Sequence, residues 1–245
     1  FRGTDAAGNV SDVAGYTVAN IDKVAPTITG ITPSKATPTN QDVTVSAVFT
    51  DNMSLALTQY KLGNGNWTNY TGAVTVTANT TVYFKATDLA ENETSTQYVV
   101  TNIDRTPPIV PSLMIAPTGP TNQIVSITAQ FAADAVRNEY SLDNQNWYGY
   151  TSPVSVSENR EVWFRSFDAA GNMSFASYVV SNIDKVAPDA PTLTVNQTAR
   201  TNGSVTVTAT FADDVTKKEY SLDGKTWTNY RSEERRVGKE CRSRW

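Results

Sequence analysis

Asn20-Ile21-Asp22-Lys23 returns as Asn102-Ile103-Asp104-Arg105 and again as Asn182-Ile183-Asp184-Lys185, at spacings of 82 and 80 residues. Thr39-Asn40, Thr121-Asn122 and Thr201-Asn202 keep the same spacings, whereas Tyr60, Tyr140 and Tyr220, and Trp67, Trp147 and Trp227, are 80 apart both times. Anchors that agree in this way mark a tandem array. They divide the chain into the last part of a preceding repeat (1–22), complete repeats at 23–104 and 105–184, and a shortened repeat at 185–230. The two extra residues of the first complete repeat fall between Phe49 and Tyr60, where a loop is expected to absorb them.

Within each repeat the apolar side chains alternate. Val43, Val45, Ala47 and Phe49 correspond to Val125, Ile127, Ala129 and Phe131, and to Val205, Val207, Ala209 and Phe211. Period two is the mark of a half-buried strand. Val82-x-Phe84-x-Ala86 and Val162-x-Phe164-x-Ser166 alternate likewise, each followed by a turn (Asp88 to Asn92, Asp168 to Asn172) and a further strand through Tyr98-Val-Val100 or Tyr178-Val-Val180. Asp223-Gly224, Asp143-Asn144 and Gly63-Asn64 occupy a hairpin position before the tryptophan. No helical period is sustained. In the first complete repeat the pattern predicts strands near 27–32, 43–50, 58–63, 66–70, 73–78, 81–87 and 96–103. The predicted fold class is all-β: tandem immunoglobulin-like β-sandwich repeats of about 80 residues.

These residues also carry a family resemblance. Tyr-Ser-Leu-Asp-Gly-x-x-Trp, the stretch Val162-Trp-Phe-Arg-Ser-Phe-Asp-Ala-Ala-Gly-Asn172 and the boundary Asn-Ile-Asp-Lys-Val-Ala-Pro are similar to the bacterial immunoglobulin-like (Big-type) repeats of large surface and secreted proteins, over essentially all of 1–230. The resemblance implies an extracellular or cell-surface stalk, spacer or adhesion segment. The first complete repeat departs from the pattern, with Glu91 where the second has Gly171 and Gly63 where it has Asp143.

Composition narrows the chemistry. The 245-residue chain has no histidine, which removes imidazole from nucleophilic catalysis, zinc binding and pH switching. Its single cysteine, Cys241, cannot form an internal disulfide. That cysteine lies in 231–245, a segment whose composition breaks with all before it and which resembles a translated sequencing adapter, so it reads as a non-native tail. Taking its six basic and three acidic residues from totals of 20 and 24 leaves the rest at a net charge of −7. An acidic chain without a basic stripe argues against nucleic acid or an anionic membrane as partner, and no membrane insertion is expected. Cell-wall or host glycans or surface proteins are the partners that the resemblance implies. Residue 1 is Phe, so the sequence carries no information about a leader. Pro26, Pro107-Pro108 and Pro188 follow the last strand at each boundary and are expected to make the junctions semi-rigid.

Three chemical readings compete. In a sandwich of this topology the boundary aspartate meets two loops, which would gather Asp104, Asp134 and Asp168 in the second repeat, and Asp22, Asp51 or Asn52, and Asp88 in the first. In the third, Asp184 and Asp213 or Asp214 remain. Three carboxylates with loop carbonyls supply much of a Ca²⁺ shell, while turn formation by Asp and Asn explains the same residues without an ion. No cofactor other than Ca²⁺ is indicated. The second reading takes Trp67, Tyr70 and Tyr83, with Trp147, Tyr150 and Trp163, as a stacking platform for sugar rings, which would make the chain an accessory carbohydrate-binding region of a secreted polysaccharide-active enzyme. Packing of the same rings is the alternative. The Asn66-Trp67-Thr68 sequon is expected by chance in a chain so rich in Asn and Thr. Catalysis is the weakest reading: a glycosidase needs two carboxylates of unequal pKa in one cleft, yet these aspartates recur copy after copy as scaffold positions do. No catalytic residue is assigned, and the chain is expected not to be an enzyme.

Overall fold

The structure is a computed structural model that describes residues 1–231 and the backbone of 235–237. The chain falls into two compact units, one comprising Phe1–Gly119 with Gln123–Asn182, the other Pro120–Asn122 with the residues from Ile183 onward. Every regular element among the described residues is a β-strand, and no helix there is long and apolar enough to cross a membrane.

The first complete repeat contains β1 (Thr27–Pro33), β2 (Val43–Thr50), β3 (Leu55–Leu62), β4 (Thr68–Asn69), β5 (Val74–Val76), β6 (Thr80–Asp88) and β7 (Glu93–Val100). They form two antiparallel sheets, ordered β1-β2-β5 and β4-β3-β6-β7. The alternating residues meet between them: Val43, Val45, Val74 and Val76 from one sheet against Val82, Phe84 and Val100 from the other, all fully or almost fully buried. Each such side chain contributes about 1.5–3 kcal/mol relative to an exposed one. Period two in the sequence thus becomes a one-sided core in each sheet.

The second repeat repeats the arrangement with β8 (Ser112–Ala116), β9 (Val125–Gln130), β10 (Arg137–Ser141), β11 (Tyr148–Gly149), β12 (Val154–Val156), β13 (Arg160–Phe167) and β14 (Met173–Val180). Its sheets run β12-β9-β8 and β11-β10-β13-β14. The two-residue insertion does not enlarge the loop as expected. The connection in the first repeat is shorter (51–54 against 131–136), and the extra residues lengthen β2 and β3 and are taken up by a register shift between Leu55 and Leu57. A bulge places one added residue inside a ladder without losing the core register beyond it.

Tyr70 and Tyr150 belong to the core rather than to an outer platform. Tyr70 packs against Phe49 and Phe84 at centroid distances of 4.9 and 5.8 Å, and its hydroxyl oxygen accepts from the Ala47 backbone N–H at 3.1 Å. Tyr150 does the same with Phe131, Phe164 and the Ala129 N–H. The ring fills the sandwich while the hydroxyl satisfies a backbone donor, the usual condition for burying a phenol.

The other unit contains β15 (Thr192–Val195), β16 (Val205–Thr210), β17 (Glu219–Tyr220), β18 (Thr228–Asn229) and β19 (Arg235–Val237). The edge of β16 is paired by β19. Backbone pairing is indifferent to side-chain identity, so a nearby segment can cap an edge whatever its composition. Cys241 and the anomalous tail other than residue 231 and the backbone of 235–237 lie outside the described residues. At the other end, residues 1–22 contribute no strand to these sheets. They make a hairpin whose one bridge pairs Thr4 with Val10, and its apolar side chains stay exposed. Two strands without a sheet to pack on are marginal in water.

Candidate functional site

The chemically distinctive place is the carboxylate group formed by Asp22, Asp51 and Asp88. Asp22 comes from the boundary segment before β1, Asp51 from the residue after β2 and Asp88 from the end of β6. One carboxylate oxygen of each lies within 4.8 Å of the others. Local hydrogen bonding fixes each arm. Asp22 Oδ1 accepts from the Val24 N–H at 3.0 Å and from Asn52 Nδ2 at 3.2 Å. Asp51 Oδ2 accepts from the Met53 N–H at 2.8 Å, while its Oδ1 is buried and has no protein donor.

Asp88 is 1% exposed and anchors the turn after β6. Its Oδ1 accepts from the N–H groups of Ala90 and Asn92, and its Oδ2 from Asn92 Nδ2, at 2.8–2.9 Å. Desolvation pushes its pKa upward, but the Asn92 amide and these backbone donors outweigh it and hold the carboxyl below the usual range. A carboxylate kept charged beside two others costs Coulomb energy that a cation removes. The donors are all oxygen, and one is an orphaned buried carboxylate oxygen, which suits a hard divalent ion.

In the second repeat Asp104, Asp134 and Asp168 do not form such a group. Asp168 keeps the turn, with Oδ1 accepting from the Asn172 N–H and Oδ2 from Asn172 Nδ2, both at 2.8 Å, and the same opposition of burial and hydrogen bonds lowers its pKa. Asp104 Oδ1 is turned to the Thr106 N–H, and Asp134 is exposed on a tight turn in which the Ala135 N–H donates to the Ala132 carbonyl. Counting from Phe49 and Phe131, Asp51 aligns with Ala133 and Asp134 with Asn52. One position along a turn redirects a side chain, so the second repeat lacks the middle arm. Asp184 likewise accepts from the Val186 N–H, and Asp213 and Asp214 are exposed.

The boundary between the two complete repeats is tied from both sides. Thr39 pairs with Ile103 in a parallel bridge, its N–H donating to the Asn102 carbonyl and its carbonyl accepting from the Asp104 N–H. The Asn102 amide donates to the carbonyls of Lys35 and Thr37. From the following repeat, Asn172 Nδ2 donates to the Asp104 carbonyl at 2.9 Å, and the Ala170 carbonyl accepts from the Asn40 N–H at 3.1 Å. Arg105 pairs with Asp42 across the same boundary. Pro26 and Pro108 are buried where the chain enters each repeat, whereas Pro107 and Pro188 are exposed. The recurrence of Thr39-Asn40 and of Asn102 was visible in the sequence, but the partners were not, because they are backbone carbonyls.

Of the remaining aromatic candidates, Trp67, Tyr83 and Trp147 lie under cations. Lys61 Nζ lies 5.2 Å from the Trp67 ring centre and 4.9 Å from Tyr83, and Lys85 Nζ lies 5.3 Å from Trp67. The Arg165 guanidinium covers Trp147 at 3.9 Å and is held by Glu139 at 2.6 Å. Trp163 sits half-buried on the same sheet. Faces covered in this way are already occupied by cation–π contacts.

No protein-family model matches the chain, and no curated protein does. Among solved structures, the chain is similar to a Ca²⁺-stabilized adhesin that helps an Antarctic bacterium reach out and bind ice, with 19% identity and a TM-score of 0.48 over 89% of this chain. The match spans 66% of that adhesin chain.

Proposed function

We propose that this chain is a non-catalytic spacer, a stretch of immunoglobulin-like repeats in an extracellular stalk or adhesion protein, and that Asp22, Asp51 and Asp88 take up Ca²⁺ to stiffen the entry to the first complete repeat. The supporting observation is the orphaned, buried Oδ1 of Asp51 beside two further carboxylates from separate segments. An ion there joins the boundary segment to the ends of β2 and β6, so that bending at the boundary strains the coordination shell. The second boundary relies on Asn172, Ala170 and Arg105 instead. A spacer needs no cleft and no group of shifted acidity poised for proton transfer, and the perturbed carboxylates here are turn residues held ionised.

The test is thermal unfolding of the full chain in millimolar Ca²⁺ and in chelator. An ion at 100 times its Kd stabilises by about 2.7 kcal/mol, which raises Tm by roughly 10 °C for a domain of this size. Asp51→Asn keeps the shape and the bond from Met53, removes the charge, and should abolish the shift. Equal Tm in both conditions would return the three aspartates to turn formation alone.

A further inference from the structure

We infer that the second repeat carries a small binding site for a neutral sugar ring, built on Tyr140 and Tyr148 at the open side of its sandwich. β11 and β12 are edge strands of the two sheets, and residues 150–153 cross from one to the other. Beside this crossing lies a solvent-open pocket of about 180 Å³, lined by Tyr140, Thr151, Ser152, Pro153, Val154 and Ser155 among others. In the ladder Tyr140 lies between Tyr148 and Phe164, so the three side chains share the face that points between the sheets. Phe164 is wholly buried, Tyr140 half-buried, and Tyr148, on the edge strand, 55% exposed. The two phenol rings pack at 5.7 Å with a tilt of 38°. The core thus ends in an aromatic pair open to water.

The sandwich itself does not require that pair. Thr68 and Thr228 stand where Tyr148 does, opposite Tyr60 and Tyr220 in ladders of the same register. Gly72 and Ala73 of the first repeat stand where the second has Ser152 and Pro153. A threonine therefore suffices to end the inner face at this edge, and the exposed tyrosine is an addition peculiar to the second repeat.

The lining selects the ligand. A phenol ring takes up the C–H face of a pyranose while its hydroxyl stays in water. The hydroxyls of Tyr140, Tyr148, Thr151, Ser152 and Ser155 bond to no other side chain or backbone group among the described residues. Each can both donate and accept, as a sugar hydroxyl requires of its partner. No charged side chain lines the pocket, so an ionic ligand would find no counter-charge there. Trp147 is covered by Arg165, whereas no cation lies over Tyr148 among the described residues. A few polar groups around an aromatic surface are the usual makings of a small-molecule site.

The experiment is backbone amide NMR of the isotope-labelled full chain, titrated with maltohexaose, cellohexaose, mannohexaose and chitohexaose at millimolar concentration. We expect at least one of these neutral sugars to shift the amides of Tyr148, Gly149, Thr151 and Ser152. Its affinity should fall about tenfold in Tyr148→Thr, the equivalent of one aromatic contact. That variant carries the residue of the neighbouring repeats, and an otherwise unchanged spectrum shows its sheets intact. No shift with any of the four sugars would overturn the inference, as would binding of equal strength in Tyr148→Thr. A response to decaproline alone would assign the pocket to a protein partner and overturn the sugar reading. None of these residues belongs to the proposed Ca²⁺ site, so the two tests are independent.

Discussion

The carbonyl of Ala170, in the turn of one repeat, accepts a hydrogen bond at 3.1 Å from the backbone N–H of Asn40, in the repeat before it. With Asn172 Nδ2 on the Asp104 carbonyl, it makes the turn after β13 serve two bodies: it closes its own hairpin and clasps the preceding neighbour. Contacts from the repeat that follows thus add to those that the preceding repeat makes at this boundary.

Asn172→Ala removes the amide that bridges Asp168 and Asp104. Losing hydrogen bonds to a buried carboxylate costs about 1.5–3 kcal/mol. We expect lower stability of the second repeat and faster amide exchange at Asn40 and Asp104, read by hydrogen exchange. Protection unchanged at both amides would show that the clasp contributes nothing.

Glu91 has φ +67°, at the position where Gly171 has φ +89°. A side chain in the left-handed region costs about 1–2 kcal/mol, partly offset in a glycine by its greater freedom when unfolded. Glu91→Gly should stabilise the first repeat by about 0.5–1 kcal/mol in urea unfolding. Gly171→Ala should destabilise the second by a similar amount, through φ alone, because the nearest atom to its new Cβ is Asn40 Nδ2 at an ordinary 3.8 Å.

Tyr150→Phe keeps the ring between Phe131 and Phe164 but leaves the Ala129 N–H without its acceptor. The expected loss is about 1–3 kcal/mol, far below that of Tyr150→Ala, which also opens a cavity and should cost about 3–5 kcal/mol. Equal losses in denaturant titrations would contradict the core role given to the hydroxyl.

Asp88 and Asp168 have folded pKa values below the unfolded value, so the stability they add is complete above that value and lost as pH falls through the folded one. The unfolded reference is about 3.9. Stability should hold from neutrality to about pH 4–5 and decline below it. In Asp168→Asn the decline should be shallower, as seen in the pH dependence of Tm.

Much of this architecture was legible in the sequence. Alternation through Val43–Phe49 and Val82–Ala86 marked the core strands, since period two survives wherever one face is buried. β3 was placed to start near 58 but begins at Leu55, because a bulge breaks the alternation that would have revealed its first turn. For Tyr70 and Tyr150 the sequence leaves both a sugar platform and packing open, because a phenol beside a hairpin fits either environment. The bond to Ala47 or Ala129 that decides the matter spans more than twenty positions. The aspartates were legible by type and boundary position. Which of them converge depends on one residue of offset in a turn, a difference that charge and spacing alone do not encode.

If the chain is a spacer, its two complete repeats act as one stiff length. The most direct test is a distance distribution between spin labels at Gln97 and Ser177, equivalent exposed positions on β7 and β14, in a Cys241→Ser background. The account predicts a single narrow distribution that broadens when Asn172→Ala is added. A broad distribution in the parent protein, unaltered by that substitution, would contradict it and leave the repeats as beads on a flexible string.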